Sequence, residues 1–191
     1  MAEPQHSNAE VSFDSEELIL VDAGDQPIGH ANKGACHNGH GTLHRAFSLF
    51  IFNSRGELLL QQRSHSKRLW PGYWANSCCS HPRRGETMEQ ATERRLQQEL
   101  GMQCSMHYLF KFEYQADYHE LGAEHELCWV YHGSTDAPVL ANDNEVAAWR
   151  FVTPDALDQE IVEHPEHFTP WLKLEWQRLR GEFKHALPSA D

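Results

Sequence analysis

The strip from Trp74 to Gly101, WANSCCSHPRRGETMEQATERRLQQELG, constrains the chain more than any other. It carries adjacent thiols at Cys78 and Cys79, then His81, the turn formers Pro82 and Gly85, and a run with helical spacing. Thr87 suits an N-cap, Met88, Ala91, Leu96 and Leu100 recur near helical spacing, and Gly101 is a stop that tolerates a left-handed backbone. If the thiols lie on extended backbone, their side chains point to opposite faces, so only one of them can face a site.

Around that strip the chain reads as strands and a few helices. Leu18 to Val21 followed by Asp22-Ala-Gly-Asp-Gln-Pro27 suggests a strand and hairpin, and residues 29–42, rich in Gly and His, read as loop. His44 to Phe52 and Glu57 to Gln62 flank Asn53-Ser-Arg-Gly56 as a β-hairpin. An aromatic loop, Leu69 to Trp74, leads to a short strand through Asn76-Ser-Cys. Tyr108 to Tyr118, Leu127 to His132 and Ala147 to Val152 read as three more strands. Pro154 to Val162 and Thr169 to Arg180 read as helices, each with Pro at its first position behind a Thr cap, Thr153 or Thr169. The expected fold is a single α/β (α+β) domain over residues 16–185, a mixed sheet flanked by helices, after a polar N-terminal tail over residues 1–15 expected to be disordered.

Composition excludes several classes. Hydrophobic residues at 40% and six Trp are incompatible with a disordered chain. With 16 basic against 28 acidic residues the formal charge is −12, the wrong sign for a nucleic-acid backbone but no obstacle to a small phosphate ligand met by a few placed cations. No apolar run approaches the ~20 residues of a membrane span, and the first residues lack a basic segment followed by an apolar one. Five Cys, an odd count without a regular framework, fit reduced thiols and a cytoplasmic location.

Two constellations carry chemistry. His37, His44, His81, Glu124 and Glu126 come from three segments, and imidazole with carboxylate suits Zn, Mn or Fe rather than Ca. Glu124 and Glu126 stand two apart at the start of a strand, hence on one face. Cys79, two before His81, can serve as nucleophile, ligand or proton donor, or be a buried structural thiol, the reading given to Cys78, Cys104 and Cys128.

The helix of the opening strip resembles the Nudix box, through Glu86, Arg94, Leu96, Glu99, Gly101 and Met102. Ser80 stands where the box has its first Gly, and Arg95 and Gln98 where it has two Glu. A diphosphate-binding fold that has lost much of its hydrolytic set is the natural implication. Five further motifs then fall in register: His37-x6-His44, Arg63-x3-Lys67, Trp70-Pro-Gly-x-Trp74, Asn76-Ser-x-Cys79-x-His81-Pro82 and Glu124-x-Glu126. Together they resemble the type 1 isopentenyl diphosphate isomerases, a Nudix-fold family, from about Leu18 to Trp171.

That resemblance implies interconversion of isopentenyl and dimethylallyl diphosphate through a tertiary carbocation, with Cys79 and Glu126 as the acid/base groups. It implies a divalent ion (Mn²⁺, Zn²⁺ or Mg²⁺) at His37, His44, His81, Glu124 and Glu126, and Mg²⁺ between Glu99 and the diphosphate. Lys33, Arg63 and Lys67 would hold the diphosphate, Trp171 would face the cation, and Tyr114 would stand beside Glu126. The partner is then a small prenyl diphosphate; monomer and homodimer stay open. The extra histidines His40, His65 and His125 depart from the family pattern, and His40 and His125 lie close to the ligand segments. Two other readings stand beside it: a Nudix hydrolase, against which Arg95 and Gln98 count, and a metal-stabilised binding module.

Overall fold

A computed structural model describes residues 8–187. Its axis is β3 (His44–Phe52), HRAFSLFIF, buried at every position except Arg45. A continuous apolar run of this kind belongs to a strand covered on both faces. Strand β8 (Ala123–Ser134) runs parallel to it over its whole length, in register from His44 beside Glu126 to Phe52 beside Ser134. On the other edge β6 (Cys78–Ser80) pairs antiparallel, with Ser48 opposite Cys79. Strand β7 (His107–Asp117) extends the sheet beyond β8.

The remaining strands frame the site. The hairpin of β1 (Glu17–Val21) and β2 (Pro27–Asn32) meets β3 through Leu20 and His44. Strand β4 (Leu58–Arg63) pairs with β5 (Trp74–Ala75) and with β9 (Val146–Val152), which completes a nine-stranded sheet. Four α-helices accompany it among the described residues: α1 (Lys33–Cys36), α2 (Met88–Leu100), α3 (Pro154–Glu163) and α4 (Pro170–Gly181).

Alternation along β3 divides the core. Phe47, Leu49 and Ile51 pack with Cys78 and with Ala91, Leu96 and Leu100 of α2. Phe50 and Phe52 face the other way, against Val130 and against Leu172, Trp176 and Leu179 of α4. Cys78 and Cys79 thus lie on opposite faces, as extended backbone requires. Helix α2 starts with a capping box between Thr87 and Gln90 and ends at Gly101, φ 63°. At α3 the Thr153 hydroxyl accepts from Ala156 N–H. Thr169 makes no such side-chain bond; its own N–H donates to Trp74 O at 3.0 Å and anchors α4 to β5.

Three expectations change. The hairpin turn at Asn53–Gly56 forms, but β3 and β4 share a single register pair, Phe52 with Leu58, before they diverge to other partners. Residues 29–42 are not all loop: they include most of β2 and the single turn of α1. β2 is a solvent-facing strand held by its backbone, so it shows no apolar period to read. Strand β8 begins at Ala123, upstream of its apolar part, because its first carboxylates face the interior of a site. Of the polar tail expected over residues 1–15, residues 1–7 lie outside the described residues. Beyond them, Asn8 O accepts from Asn144 Nδ2 at 2.6 Å, Ala9 O from Asn142 Nδ2 at 2.8 Å, and Val11 O from Arg95 Nη1 at 2.7 Å.

One glycine joins the start of β8 to the segment that carries His37. Gly122 has φ 139°, and a Cβ there would overlap His37 O, which already accepts from Ala123 N–H at 3.1 Å. Gly122→Ala is expected to lower unfolding stability by roughly 1–3 kcal/mol, the scale of strain at such a backbone position. Gly181→Ala, where a Cβ meets nothing, serves as the neutral control in the same urea titration.

Candidate active site

The register of β3 and β8 sets His44 directly beside Glu126, and the two-residue period of β8 puts Glu124 on the same face. His81 follows the end of β6 and His37 follows α1. The three imidazoles meet with ring centroids 4.8–5.4 Å apart. His37 Nε2 lies 2.7 Å from Glu124 Oε2, and His81 Nε2 lies 2.9 Å from Glu126 Oε1. One ligand atom from each of these five buried residues lies within 4.8 Å of all the others.

The outer hydrogen bonds decide what those atoms can do. His37 Nδ1–H donates to Lys33 O and His44 Nδ1–H donates to Thr42 O, each at 2.7 Å, so both Nε2 atoms point inward. His44 Nε2 is buried without a hydrogen-bond partner. Lone pairs converging in a dry site need a proton or a cation between them. Burial, then the charge of His37, pushes His44 down to about 4, and burial beside His44 and His37 holds His81 well below its ordinary value. Burial opposes charge on His37 too, but the Glu124 carboxylate outweighs it and raises the group, while Glu124 is held low by the same pairing. Two neutral imidazoles, His44 and His81, and a third, His37, whose proton a cation can displace, beside two carboxylates form the donor set of a divalent transition ion, and these residues fit one.

Glu126 has a second contact: Tyr114 Oη donates to its Oε2 at 2.6 Å. Burial, then the neighbouring Glu124 charge, pushes the Glu126 carboxyl well above the usual carboxylate range. Tyr114 is raised as well, by burial and then by Glu126.

Cys79 is held as a thiol. Asn76 Nδ2 donates to Leu49 O at 3.2 Å and to Cys78 O at 3.3 Å, which turns its Oδ1 toward Cys79 Sγ at 2.7 Å. A carbonyl oxygen there accepts from S–H and repels a thiolate. Burial, then the nearby Glu175, pushes the thiol well above its ordinary value. Such a group keeps its proton in the resting site and so is present there as a proton donor.

Both clusters open on one cavity of about 950 Å³. Among its lining residues are Lys33, Arg63, Lys67, Glu99 and Trp171, together with Cys79, Glu126 and Tyr114. Of the residues expected at the site only His44 is absent from the wall; it is fully buried, with Nε2 3.8 Å from Glu126 Oε1. Lys33 bonds Ser12 and lies 3.9 Å from Glu16. Lys67 pairs with Glu145. Arg63 donates to Leu69 O at 2.9 Å and Trp70 O at 3.1 Å, and its guanidinium stands 5.2 Å from the Trp171 ring centroid. Glu99 is buried; Arg95 donates to its Oε1 and Gln61 Nε2 lies 3.3 Å from its Oε2. Arg95 also reaches Glu145 at 3.1 Å, so it neutralises two carboxylates where the Nudix box would supply another.

Sequence reasoning left several contributors without a role: Asn76, which orients the thiol, Glu145, which gathers Lys67 and Arg95, and Ser48 behind Cys79. Asn76 lies within a quoted motif, but Glu145 is one acid in an irregular loop with no periodic signal. The neighbouring histidines are elsewhere: His40 pairs with Asp117 at 3.2 Å and His125 with Glu113 at 3.1 Å.

Comparison with known proteins agrees with this geometry. The family model described as NUDIX domain matches residues 42–172. The chain is 45% identical over 163 residues to Isopentenyl-diphosphate Delta-isomerase 1 of Photorhabdus laumondii, covering 84% of this chain and 93% of that protein. It is 44% identical over 156 residues to the Isopentenyl-diphosphate Delta-isomerase of Serratia proteamaculans, covering 82% and 87%. Among solved structures, a Deinococcus radiodurans protein superposes with a TM-score of 0.70 at 26% identity, over 85% of this chain and 98% of that one. A MutT protein from Methanosarcina mazei shares the fold with a TM-score of 0.59 at 19% identity, over 74% and 96%.

The histidine–glutamate cluster predicts about one tightly held divalent ion per chain, lost on acidification as protons compete for the imidazoles. Metal analysis after dialysis checks this: His44→Ala is expected to weaken retention of Mn²⁺ or Zn²⁺ at least about ten-fold, with unchanged far-UV circular dichroism. Equal metal content in both proteins would remove the cluster as the binding site.

Proposed function

The chain belongs to the isopentenyl-diphosphate Delta-isomerase family of NUDIX-domain proteins, and we propose that the cavity between Cys79 and Glu126 is where it acts. It is an isomerase that interconverts isopentenyl and dimethylallyl diphosphate in isoprenoid biosynthesis. The observation that carries the site assignment is a thiol that donates to Asn76 and a carboxyl group that accepts from Tyr114, both on the wall of one cavity.

The substrate's double bond is unactivated, so the reaction needs an acid to protonate one carbon and a base to take a proton from another. In this reading Cys79 and Glu126 are those two groups, and Tyr114 holds the Glu126 carboxyl in place. The tertiary cation between the two steps must be kept from water. Trp171, 3% exposed, offers a ring whose attraction for a cation is worth about 0.5–2 kcal/mol. Lys33, Arg63 and Lys67 bind the diphosphate, which requires Lys67 to share its charge with Glu145. A divalent ion (Mn²⁺, Zn²⁺ or Mg²⁺) at His37, His44, His81, Glu124 and Glu126 would favour ionised Glu126, and Mg²⁺ between Glu99 and the diphosphate would neutralise phosphate charge. Glu99 Oε2, only weakly held by Gln61, is the oxygen suited to that second ion.

Hydrolysis is disfavoured by the same residues. Arg95, with its side chain buried against Glu99 and Glu145, leaves no spare carboxylate at its position to activate water.

Incubating isopentenyl diphosphate with the protein and Mg²⁺ in deuterated buffer is expected to give the dimethylallyl isomer and deuterium at exchangeable carbons. Cys79→Ala and Glu126→Gln should each lower kcat by at least about 10³-fold, within the range of general acid–base catalysis. Only Glu126→Gln should also weaken metal retention. Near-normal turnover in Cys79→Ala would refute the assignment.

A further inference from the structure

One ionisable group beside the cavity has no part in the reaction as described. Glu175, one turn after Trp171 on α4, is fully buried against the inner face of the sheet. Cys128 Sγ lies 3.4 Å from its Oε1, and the single S–H proton of Cys128 serves either that oxygen or Ser48 Oγ. Cys128 Sγ also lies 3.4 Å from Ser48 Oγ, and Ser48 Oγ lies 3.5 Å from Cys79 Sγ. The row therefore runs without a gap from the helix to the reacting sulfur. Glu175 Oε2 is buried with no partner, and among the described residues no Lys, Arg or His pairs with this side chain. A carboxylate left so would bear a large desolvation penalty, whereas the neutral acid bears a small one.

We infer that Glu175 is a positioning residue for the isomerisation, acting in its neutral form through Cys128 and Ser48 to orient the hydroxyl that faces the Cys79 sulfur. Cys79 S–H already points to Asn76 Oδ1, so Ser48 is the neighbour able to donate to the sulfur as its proton leaves. A neutral Glu175 lets that donor stay in place. An ionised one puts a second negative charge behind a thiolate.

The surroundings fit that division. Burial pushes the Glu175 acid up to about 8, against smaller opposing effects of its Ser48 and Cys128 contacts. The titratable groups that sense it are Cys79 on β6 and Cys128 and Glu126 on β8, and each is raised further by its charge. Arg63 is the cation that works in the opposite direction on Cys79. The sign follows: below about 8 the acid is neutral and the row is intact, and above it the charge resists loss of the Cys79 proton.

The inference rests on the isomerase reading, and kcat and KM measured across pH for three proteins separate the two. Wild-type kcat should fall as pH rises through about 8. Glu175→Gln, neutral at every pH, should keep kcat within about two-fold near pH 7 and lose that alkaline limb. Glu175→Ala should lower kcat about ten-fold with KM unchanged, the scale of one misplaced hydrogen bond. Coincident wild-type and Glu175→Gln profiles would overturn the inference while leaving the isomerase reading intact. Wild-type protein that fails to isomerise would overturn both. If Glu175→Ala does not fold, the comparison of wild type with the isosteric Gln variant decides alone.

Discussion

Fold and chemistry depend on one constraint, the parallel register of β3 with β8. Because side chains alternate with period two, that register puts His44, Ser48, Glu126 and Cys128 on one face and gives α2 the opposite face of β3. A slip of one residue would turn Glu124 and Glu126 toward the α2 core and strip the histidine cluster of its carboxylates. Long apolar runs make such a slip costly: Phe47, Leu49 and Ile51 fit only the side that α2 covers. The core thus enforces the geometry of the site, and the site adds nothing to the register except polar residues that would be misplaced anywhere else.

A second dependence runs through Arg95. It joins Glu99 and Glu145, and Glu145 joins Lys67, so the cationic end of the cavity is a charge network with both signs already balanced. Removing one member of a buried network costs more than any single pair within it is worth. The exchange of carboxylate for Arg95 in the box helix therefore does two things at once. It replaces an acid of the box with a cation, and it fixes Glu99 directly, and Lys67 through Glu145, on the cavity wall.

The sequence was most legible where one residue type at one spacing has few alternatives. The Thr87 cap, the Gly101 stop and the paired glutamates of β8 were read correctly because local backbone geometry decides them. His37, His44 and His81 come together as the resemblance implied, yet nothing in their spacing alone specifies that α1, β3 and β6 converge. What stayed hidden was set by distant partners. β2 looked like loop because its hydrogen bonds, made to β1, leave no trace in side-chain pattern. β4 was read as a full hairpin partner of β3 because the turn at Asn53 to Gly56 is local, whereas the competition from β6 and β9 is not. Glu145 and Glu175 are isolated acids in sequence, and only burial distinguishes them from solvated ones.

Burial also explains why this fold can serve proton transfer. Cys79, Tyr114, Glu126 and Glu175 are each driven toward their protonated forms, and His44 and His81 toward their neutral ones, by the same removal of water. Helix α4 takes part in that removal, with Trp171 and Glu175 both buried on its inner side. A hydrolase on this scaffold must admit water and hold it near carboxylates. A site that passes through a carbocation must do the reverse, and Trp171 of α4 is the buried apolar wall that this chain offers for it.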